Sequence, residues 1–118
     1  MTTTRERSEK IAALNDQLRK NPGGNLGLLH MTAGIAALGP EFWEKVLLTL
    51  VNLAPEDFDK DNDPYGERDF SVFEVDGEKL YGKIDYYQKG SRFTAGAETP
   101  DDPATTDRVL TVMLSEEY

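Results

Sequence analysis

A predicted β-hairpin in residues 70–87, FSVFEVDGEKLYGKIDYY, constrains the fold of this chain more than any other segment. Two runs rich in β-branched and aromatic residues flank Asp76-Gly77, a dipeptide that marks a two-residue hairpin turn. The register set by this turn pairs Val75 with Glu78, Glu74 with Lys79, Phe73 with Leu80 and Val72 with Tyr81. Ile84 falls on the face of Phe73 and Leu80, so we expect this face to meet the helices.

A first helix is predicted from the segment SEKIAALNDQLRK. Its apolar residues at helical spacing are Ile11, Leu14 and Leu18. Ser8 is a candidate N-cap, and Asn21-Pro22-Gly23-Gly24 is expected to end the helix. Residues 1–7 are expected to form a flexible N-terminus.

The next segments predict a short strand and a second helix. The strand runs from Leu26 to Thr32, and residues 33–39 form a turn or a short helical piece because Gly34 and Gly39 interrupt them. Pro40 suits the first position of the second helix, where its missing N–H costs nothing. The broad apolar face expected to fill the core consists of Phe42, Trp43, Val46, Leu47, Leu50 and Val51.

The sequence of the C-terminal segment is compatible with either a helix or a strand. Residues 88–102 form a polar loop, after which Asp102 as N-cap and Pro103 in the first turn favour a third helix. Val109, Thr111 and Val112 also suit a strand, so both alternatives stay open. The fold class is α+β in a single domain of residues 1–118, with a small antiparallel sheet built on the central hairpin and packed against about three helices.

The net charge of −9 is distributed unevenly along the chain. Residues 1–53 carry six basic and five acidic residues, whereas residues 54–118 carry seven basic and seventeen acidic residues, which leaves −10 in the second part. Such a surface repels nucleic acid and anionic lipid, so we expect no direct binding to either. The same field favours a basic protein partner. Acidity that serves only solubility is the alternative.

Aspartates occupy every second position from Asp57 to Asp63 in DFDKDNDPYGERDF. The spacing does not match a calcium-binding EF-hand loop, because neither possible start places a glycine at the sixth position or a carboxylate at the twelfth. A looser Ca²⁺ or Mg²⁺ site, a mimic of nucleic-acid phosphates and a hydrated turn remain as alternatives. In an extended chain these carboxylates stand about 6.6 Å apart, which is sparser than duplex phosphates.

Catalytic motifs are scarce. The chain has no cysteine, which excludes disulfides, thiolate zinc sites and thiol nucleophiles and fits a cytoplasmic protein. The one histidine, His30, lies in the apolar segment LGLLHMT. Gly23-Gly24 is not followed by the Lys and Ser/Thr of a phosphate-binding loop. We therefore expect no enzyme, no cofactor and no metal site.

The segments KIAALNDQLRK, MTAGIAAL, DNDPYGERDF, KIDYY and RVLTVMLSEEY, in this order, resemble an uncharacterised family of small bacterial proteins. That family is described only as a domain of unknown function, and it is similar to proteins often carried on plasmids and other mobile elements. The resemblance covers residues 9–118. It implies that Asn62 to Phe70 is a structured turn that enters the hairpin, and it carries over no catalytic or binding residue.

These observations lead to the hypothesis of an acidic anti-defence protein, of the anti-CRISPR or anti-restriction type. It would bind a basic nucleic-acid-binding surface of a host complex and block access of DNA. The residues expected to bind the partner are Glu56, Asp57, Asp59, Asp61 and Asp63, with Glu98, Asp101 and Asp102 as a second patch. The alternative is a non-catalytic accessory binding module of plasmid or host metabolism, with a pocket between the hairpin and the Trp43 helix and with acidity that serves only solubility. We expect a monomer or weak dimer.

Overall fold

The described residues form three helices and the four strands of one sheet. The computed structural model describes residues 3–22, 24–58, 61 and 63–118. Its elements are α1 (Thr4–Lys20), β1 (Gly27–Met31), α2 (Ala33–Ala36), α3 (Pro40–Asn52), β2 (Phe70–Val75), β3 (Glu78–Gln88) and β4 (Thr106–Leu114), with 3-10 turns at Pro55–Asp57 and Ser115–Glu117. None of the helices within these ranges is long and apolar enough to cross a membrane.

The strands form a four-stranded mixed sheet in the order β1-β4-β3-β2. β3 pairs antiparallel with β2 and with β4, whereas β1 pairs parallel with β4. The α+β class with three helices and a small sheet is confirmed. The prediction of an antiparallel sheet is wrong at one edge, because β1 runs in the same direction as its neighbour β4.

The predicted hairpin is confirmed residue by residue. All four predicted pairs occur, from Val75 opposite Glu78 to Val72 opposite Tyr81. Asp76 and Gly77 have φ angles of 50° and 81°. Two consecutive positive φ angles are what a two-residue turn needs to match the twist of the strands, and Asp tolerates this conformation better than most residues.

The core lies on one face of the sheet. Alternate residues of each strand point to this face, and the buried ones contributed by the sheet are Phe73, Val75, Leu80, Ile84, Leu110 and Val112. The helices contribute Leu18, Ile35, Phe42, Val46 and Leu50 to the same cluster. Because all three helices supply side chains to this one cluster, they pack on the same face of the sheet.

Helix α1 starts earlier than predicted. Thr3 is the N-cap, and its Oγ1 accepts a hydrogen bond from the Glu6 backbone N–H at 3.1 Å. The predicted N-cap Ser8 therefore lies inside the helix. Residues 4–7, expected to be flexible, form the first turn, because threonine caps as serine does and the charged residues after it are good helix formers.

Helix α3 begins at Pro40, as predicted, but its buried face is narrower than expected. Phe42, Val46 and Leu50 are buried, whereas Leu47 is 36% and Val51 41% exposed. The difference arises because the sheet meets only one stripe of the helix, and the described residues form no further layer over its flanks.

The C-terminal segment is a strand, so the predicted third helix over residues 103–118 is wrong and the strand alternative is correct. Asp102 Oδ1 accepts from the Ala104 backbone N–H at 2.9 Å within a turn and does not cap a helix. Residues Thr106–Leu114 instead pair with β3 on one side and β1 on the other. The backbone hydrogen bonds of two neighbouring strands decide the conformation of this ambiguous segment.

We expect Leu50→Ala to destabilise the fold by about 2–5 kcal/mol, because Leu50 is 1% exposed and its removal leaves a cavity. Leu48 lies on the same helix and is 60% exposed. Leu48→Ala is therefore the matched control, expected to change stability by less than about 0.5 kcal/mol. Urea denaturation of both variants measures the two values. Equal losses would contradict the assignment of the core face.

Candidate functional site

The first predicted acidic patch lies on the connection between α3 and β2. Glu56 and Asp57 are exposed in the 3-10 turn, and Asp57 Oδ2 accepts from the Ala54 backbone N–H at 2.8 Å. Asp61 is exposed, and Asp63 is half-buried. Asp59 lies outside the described residues. The patch therefore combines exposed carboxylates with carboxylates that hold the turn together.

The expected structured turn before the hairpin is present from Asp63 to Phe70. Asp63 Oδ1 accepts from the Arg68 backbone N–H at 2.9 Å, and the Asp63 carbonyl accepts from the Gly66 N–H at 3.2 Å. Gly66 and Arg68 have positive φ angles of 70° and 51°. Asn62, the first residue of the predicted turn, lies outside the described residues.

The second predicted patch is partly neutralised by α1. Arg7 Nε lies 3.1 Å from Asp101 Oδ1, and Arg7 Nη2 donates to the Glu98 carbonyl at 2.6 Å. Asp102 is exposed but engages the Ala104 backbone. Part of the charge of this second patch is therefore compensated within the protein.

A cleft of about 640 Å³ lies beside the first patch, on the open face of the sheet. Asp57 and Asp61 line one side of the cleft, and the rings of Phe70, Tyr81 and Tyr118 line the other. The ring centroids lie 5.2 to 5.8 Å apart. Tyr118 is 75% exposed. Carboxylates together with aromatic faces are the groups that attract cationic side chains.

Lys79 shows that a cation fits one of these rings. Its Nζ lies 5.6 Å from the centroid of the Tyr81 ring. The contact is within the distance at which an ammonium is attracted to an aromatic face. Lys79 also lines the cleft and reduces its negative charge.

A polar network beneath α1 brings together four residues that were not among the predicted site residues: Asn15, Glu67, Tyr86 and Arg108. Asn15 Nδ2 donates to Tyr86 Oη at 2.9 Å and to the Glu67 carbonyl at 3.0 Å. Tyr86 Oη donates to Glu67 Oε1 at 3.0 Å, and Arg108 Nε donates to Asn15 Oδ1 at 2.9 Å. The network fastens α1 to β3, β4 and the turn before the hairpin.

The network is desolvated. Arg108 is 0% exposed, its Nη2 donates to the Pro100 carbonyl, and its Nη1 has no partner among the described residues. The guanidinium stacks 5.2 Å from the Tyr86 ring centroid. Burial lowers the pKa of Arg108 and raises the pKa of Tyr86, and burial is also the main reason that the pKa of Glu67 is raised.

A second cluster of charged residues is centred on Asp16 of the same helix, whose carboxylate forms ion pairs with two arginines. Arg68 Nε and Nη2 donate to the two Asp16 oxygens at 3.0 and 2.6 Å, and Arg19 Nη2 donates to Oδ1 at 2.7 Å. Arg19 is buried, donates to the Arg68 carbonyl at 2.6 Å and lies over the Phe58 ring. Burial acts to raise the pKa of Asp16, but the hydrogen bonds and charges of Arg68 and Arg19 together lower it.

These contacts assign the polar network a positioning role. It contains no cysteine, histidine or serine nucleophile, and His30 lies apart from it on β1, exposed and opposite Thr111. Within the described ranges, no group of three or more His, Asp or Glu side chains is arranged to hold a metal ion. The sequence did contain a signal for the network, because four of the segments on which the resemblance rests each contribute at least one member.

Comparison with known proteins places this chain in the family described as "Protein of unknown function (DUF3768)", whose model matches residues 31–117. The chain belongs to this family. The match includes Glu67, Arg68, Tyr86 and Arg108 and begins after α1. No curated protein matches the chain. No solved structure matches it either.

Glu67→Gln and Asp16→Asn are expected to change the pH dependence of stability in opposite directions. The raised pKa of Glu67 means that its ionisation costs native stability as pH rises, so Glu67→Gln should gain stability relative to wild type from about pH 4 to 7. The lowered pKa of Asp16 means that its carboxylate stabilises the native state above the ordinary carboxyl pKa. The advantage of wild type over Asp16→Asn should therefore disappear as pH falls.

Urea unfolding of the three proteins across this pH range measures both effects. Stability differences that do not vary with pH would contradict the raised pKa of Glu67 and the lowered pKa of Asp16.

Proposed function

We propose that this member of the DUF3768 family is an acidic inhibitor of a host defence system, of the anti-CRISPR or anti-restriction type. It binds a basic, nucleic-acid-binding surface of a bacterial defence complex and blocks the access of DNA. It acts without a catalytic residue or cofactor, in the cytoplasm, and is encoded on a mobile element such as a plasmid. It is a monomer or a weak dimer.

The observation that carries this proposal is the position of the negative charge. The surplus of ten acidic charges lies after residue 53, and the described members Glu56, Asp57 and Asp61 stand exposed on one connection beside an open cleft. Loops held by a rigid scaffold commonly carry binding residues. Charge at such a surface attracts a basic partner over distances comparable to the Debye length, about 8 Å at physiological salt.

The turn that begins at Asp63 holds one end of the first acidic patch in place. Asp63 and Asp16 both bind Arg68, through its backbone N–H and its guanidinium respectively. The C-terminal end of the acidic connection is therefore fixed to α1. A fixed carboxylate loses less conformational entropy on binding than a carboxylate in a mobile loop does.

A pull-down against purified CRISPR effector and restriction complexes tests the proposal. We expect one of them to be retained, with an affinity that falls on the order of tenfold between low and physiological salt. Changing Glu56 to Gln and Asp57, Asp61 and Asp63 to Asn should abolish both retention and inhibition. These changes keep hydrogen-bonding side chains of the same size.

The matched control changes the same number of charges elsewhere, with Glu6, Glu9, Glu41 and Glu44 all replaced by Gln. These residues are exposed on α1 and α3. If the control variant loses binding to the same extent as the variant of the first patch, binding depends on overall net charge and not on the first patch. If wild type retains no complex, or if binding is indifferent to salt, the proposal fails.

A second candidate function is a non-catalytic accessory binding module in which the acidity serves only solubility. The observation that favours it is a cleft of about 460 Å³ between α3 and β2. Its walls include Leu48, Leu53 and Phe73. This cleft supports the second candidate because it lies between the helix that contains Trp43 and the hairpin, where such a module would need its pocket.

Thermal-shift measurements against a metabolite library distinguish the two candidates. A small ligand at one hundred times its dissociation constant stabilises the protein by about 2.7 kcal/mol, which raises the melting temperature by several degrees. A shift with a metabolite favours the module. A shift with Ca²⁺, Mg²⁺ or Mn²⁺ that EDTA reverses would instead establish a metal site and contradict both candidates.

A further inference from the structure

Strand β2 is the outer strand of the sheet at the end opposite β1. A two-residue hairpin makes Val75 and Glu78 a hydrogen-bonded pair, and alternate residues follow the same pattern. The Ile84 N–H, which donates to the Asp69 carbonyl at 2.8 Å, fits this register. The N–H and C=O groups of Val72 and Glu74 consequently point away from β3, toward the outside of the sheet.

These outward groups of β2 have no backbone partner among the described residues. Unpaired backbone groups on an outer strand are a template for pairing with another extended segment. Proteins commonly use this template for binding, with backbone hydrogen bonds for affinity and pockets for alternate side chains for specificity. The edge of β2 is therefore a place where a partner strand can be added.

A cleft lies on each side of this edge. The cleft on the helix side is bounded by Leu48 and Leu53, and Leu48 is 60% exposed. The cleft on the open side holds the aromatic cluster and Asp61. Asp57 and Val72 line both clefts, so the two are contiguous along the edge of β2.

Successive side chains of a strand point to opposite faces of a sheet. A strand added beside β2 would therefore direct every second side chain toward Leu48 and Leu53. The other side chains would meet the carboxylates and rings of the open-side cleft. The helix-side cleft offers two leucines beside the polar Thr49 and Asn52, and the other cleft offers carboxylates and aromatic rings. Together they favour a partner strand in which apolar and basic residues alternate.

We propose that the edge of β2 binds an extended segment of the partner protein, in which Lys or Arg alternates with apolar residues, by strand addition. This inference rests on the proposed function, because it names the part of the basic partner that this chain recognises. The backbone of β2 supplies the affinity and the two clefts supply the specificity. Charge complementarity between the cleft carboxylates and the basic side chains selects this occupant over a neutral or acidic strand.

A synthetic peptide of alternating lysine and valine, equal in length to the six residues of β2, serves as the probe. We expect it to bind and to slow the hydrogen exchange of the Val72 and Glu74 amides in nuclear magnetic resonance spectra. A peptide of alternating glutamate and valine is the control and should not bind. Exchange that is unchanged at both amides, or an absence of binding, overturns the inference.

Two substitutions at one position separate the backbone contribution from that of the side chain. Val72→Pro removes an outward N–H that does not pair with β3, and outer strands tolerate proline. It should weaken peptide binding about tenfold or more, because one hydrogen bond is lost and the ring blocks the approach of the added strand. Val72→Thr keeps the N–H and should bind as wild type does. Equal affinity of the two variants contradicts strand addition.

Lys79→Gln provides a test whose expected result, tighter binding of the peptide, cannot be caused by misfolding of the variant. The ammonium of Lys79 competes for the face of Tyr81 and repels a basic peptide, so its removal should tighten peptide binding about two- to fivefold. Weaker binding by this variant would contradict the assigned orientation of the basic side chains.

The proposed function and the strand-addition inference can be refuted independently of each other. If a defence complex is retained through the acidic patch but Val72→Pro binds it as tightly as wild type does, strand addition is wrong and the proposed function stands. If the peptide binds the edge but no defence complex is retained, the edge is a binding site for some other basic partner and the proposed function is wrong.

Discussion

The arrangement of helices on one face of the sheet is the constraint on which the rest of this structure depends. Since α1, α2 and α3 all contribute to a single core cluster, most strand residues of one parity are buried. Those of the other parity lie on the opposite face and, apart from Met113, are at least partly exposed. The aromatic cluster of Phe70, Tyr81 and Tyr118 lies on the face of the sheet opposite the helices. The surfaces available to a partner, including the outer edge of β2, follow from this asymmetry.

Helix α1 is held to this framework by polar contacts as much as by apolar packing. Its buried residues include Asn15 and Arg19 beside Ile11, Ala12 and Leu18. Buried charges cost solvation free energy unless they are paired, so loss of one partner from such a network destabilises more than the pair itself stabilises. The same contacts fix Arg68 and, through it, Asp63. Stability of the helix and the shape of the acidic connection are therefore coupled.

The sequence predicted local structure best where several signals for the same structure fell within one short segment. The Asp76-Gly77 turn, with β-forming residues on both sides, predicted every pair of the hairpin, and Pro40 marked the start of α3. Residues 103–118 were predicted poorly, because a helix cap and a β-rich run were both present and only pairing with two neighbours resolved them. The polar network was missed because the residues that bond one another in it are 19 to 93 positions apart in the chain, although four segments of the family resemblance contain its members.

The sequence by itself determined the α+β class, the hairpin register, the helix starting at Pro40 and the strong charge of the C-terminal part, because each depends on neighbouring residues or on composition alone. Only the tertiary structure decided that β1 pairs parallel with β4, that Arg7 neutralises part of the second acidic patch, and that Asn15, Glu67, Tyr86 and Arg108 meet. The physical reason is that these contacts join segments distant in the chain. Their free energy is gained only after the chain has paid the entropy of bringing those segments together.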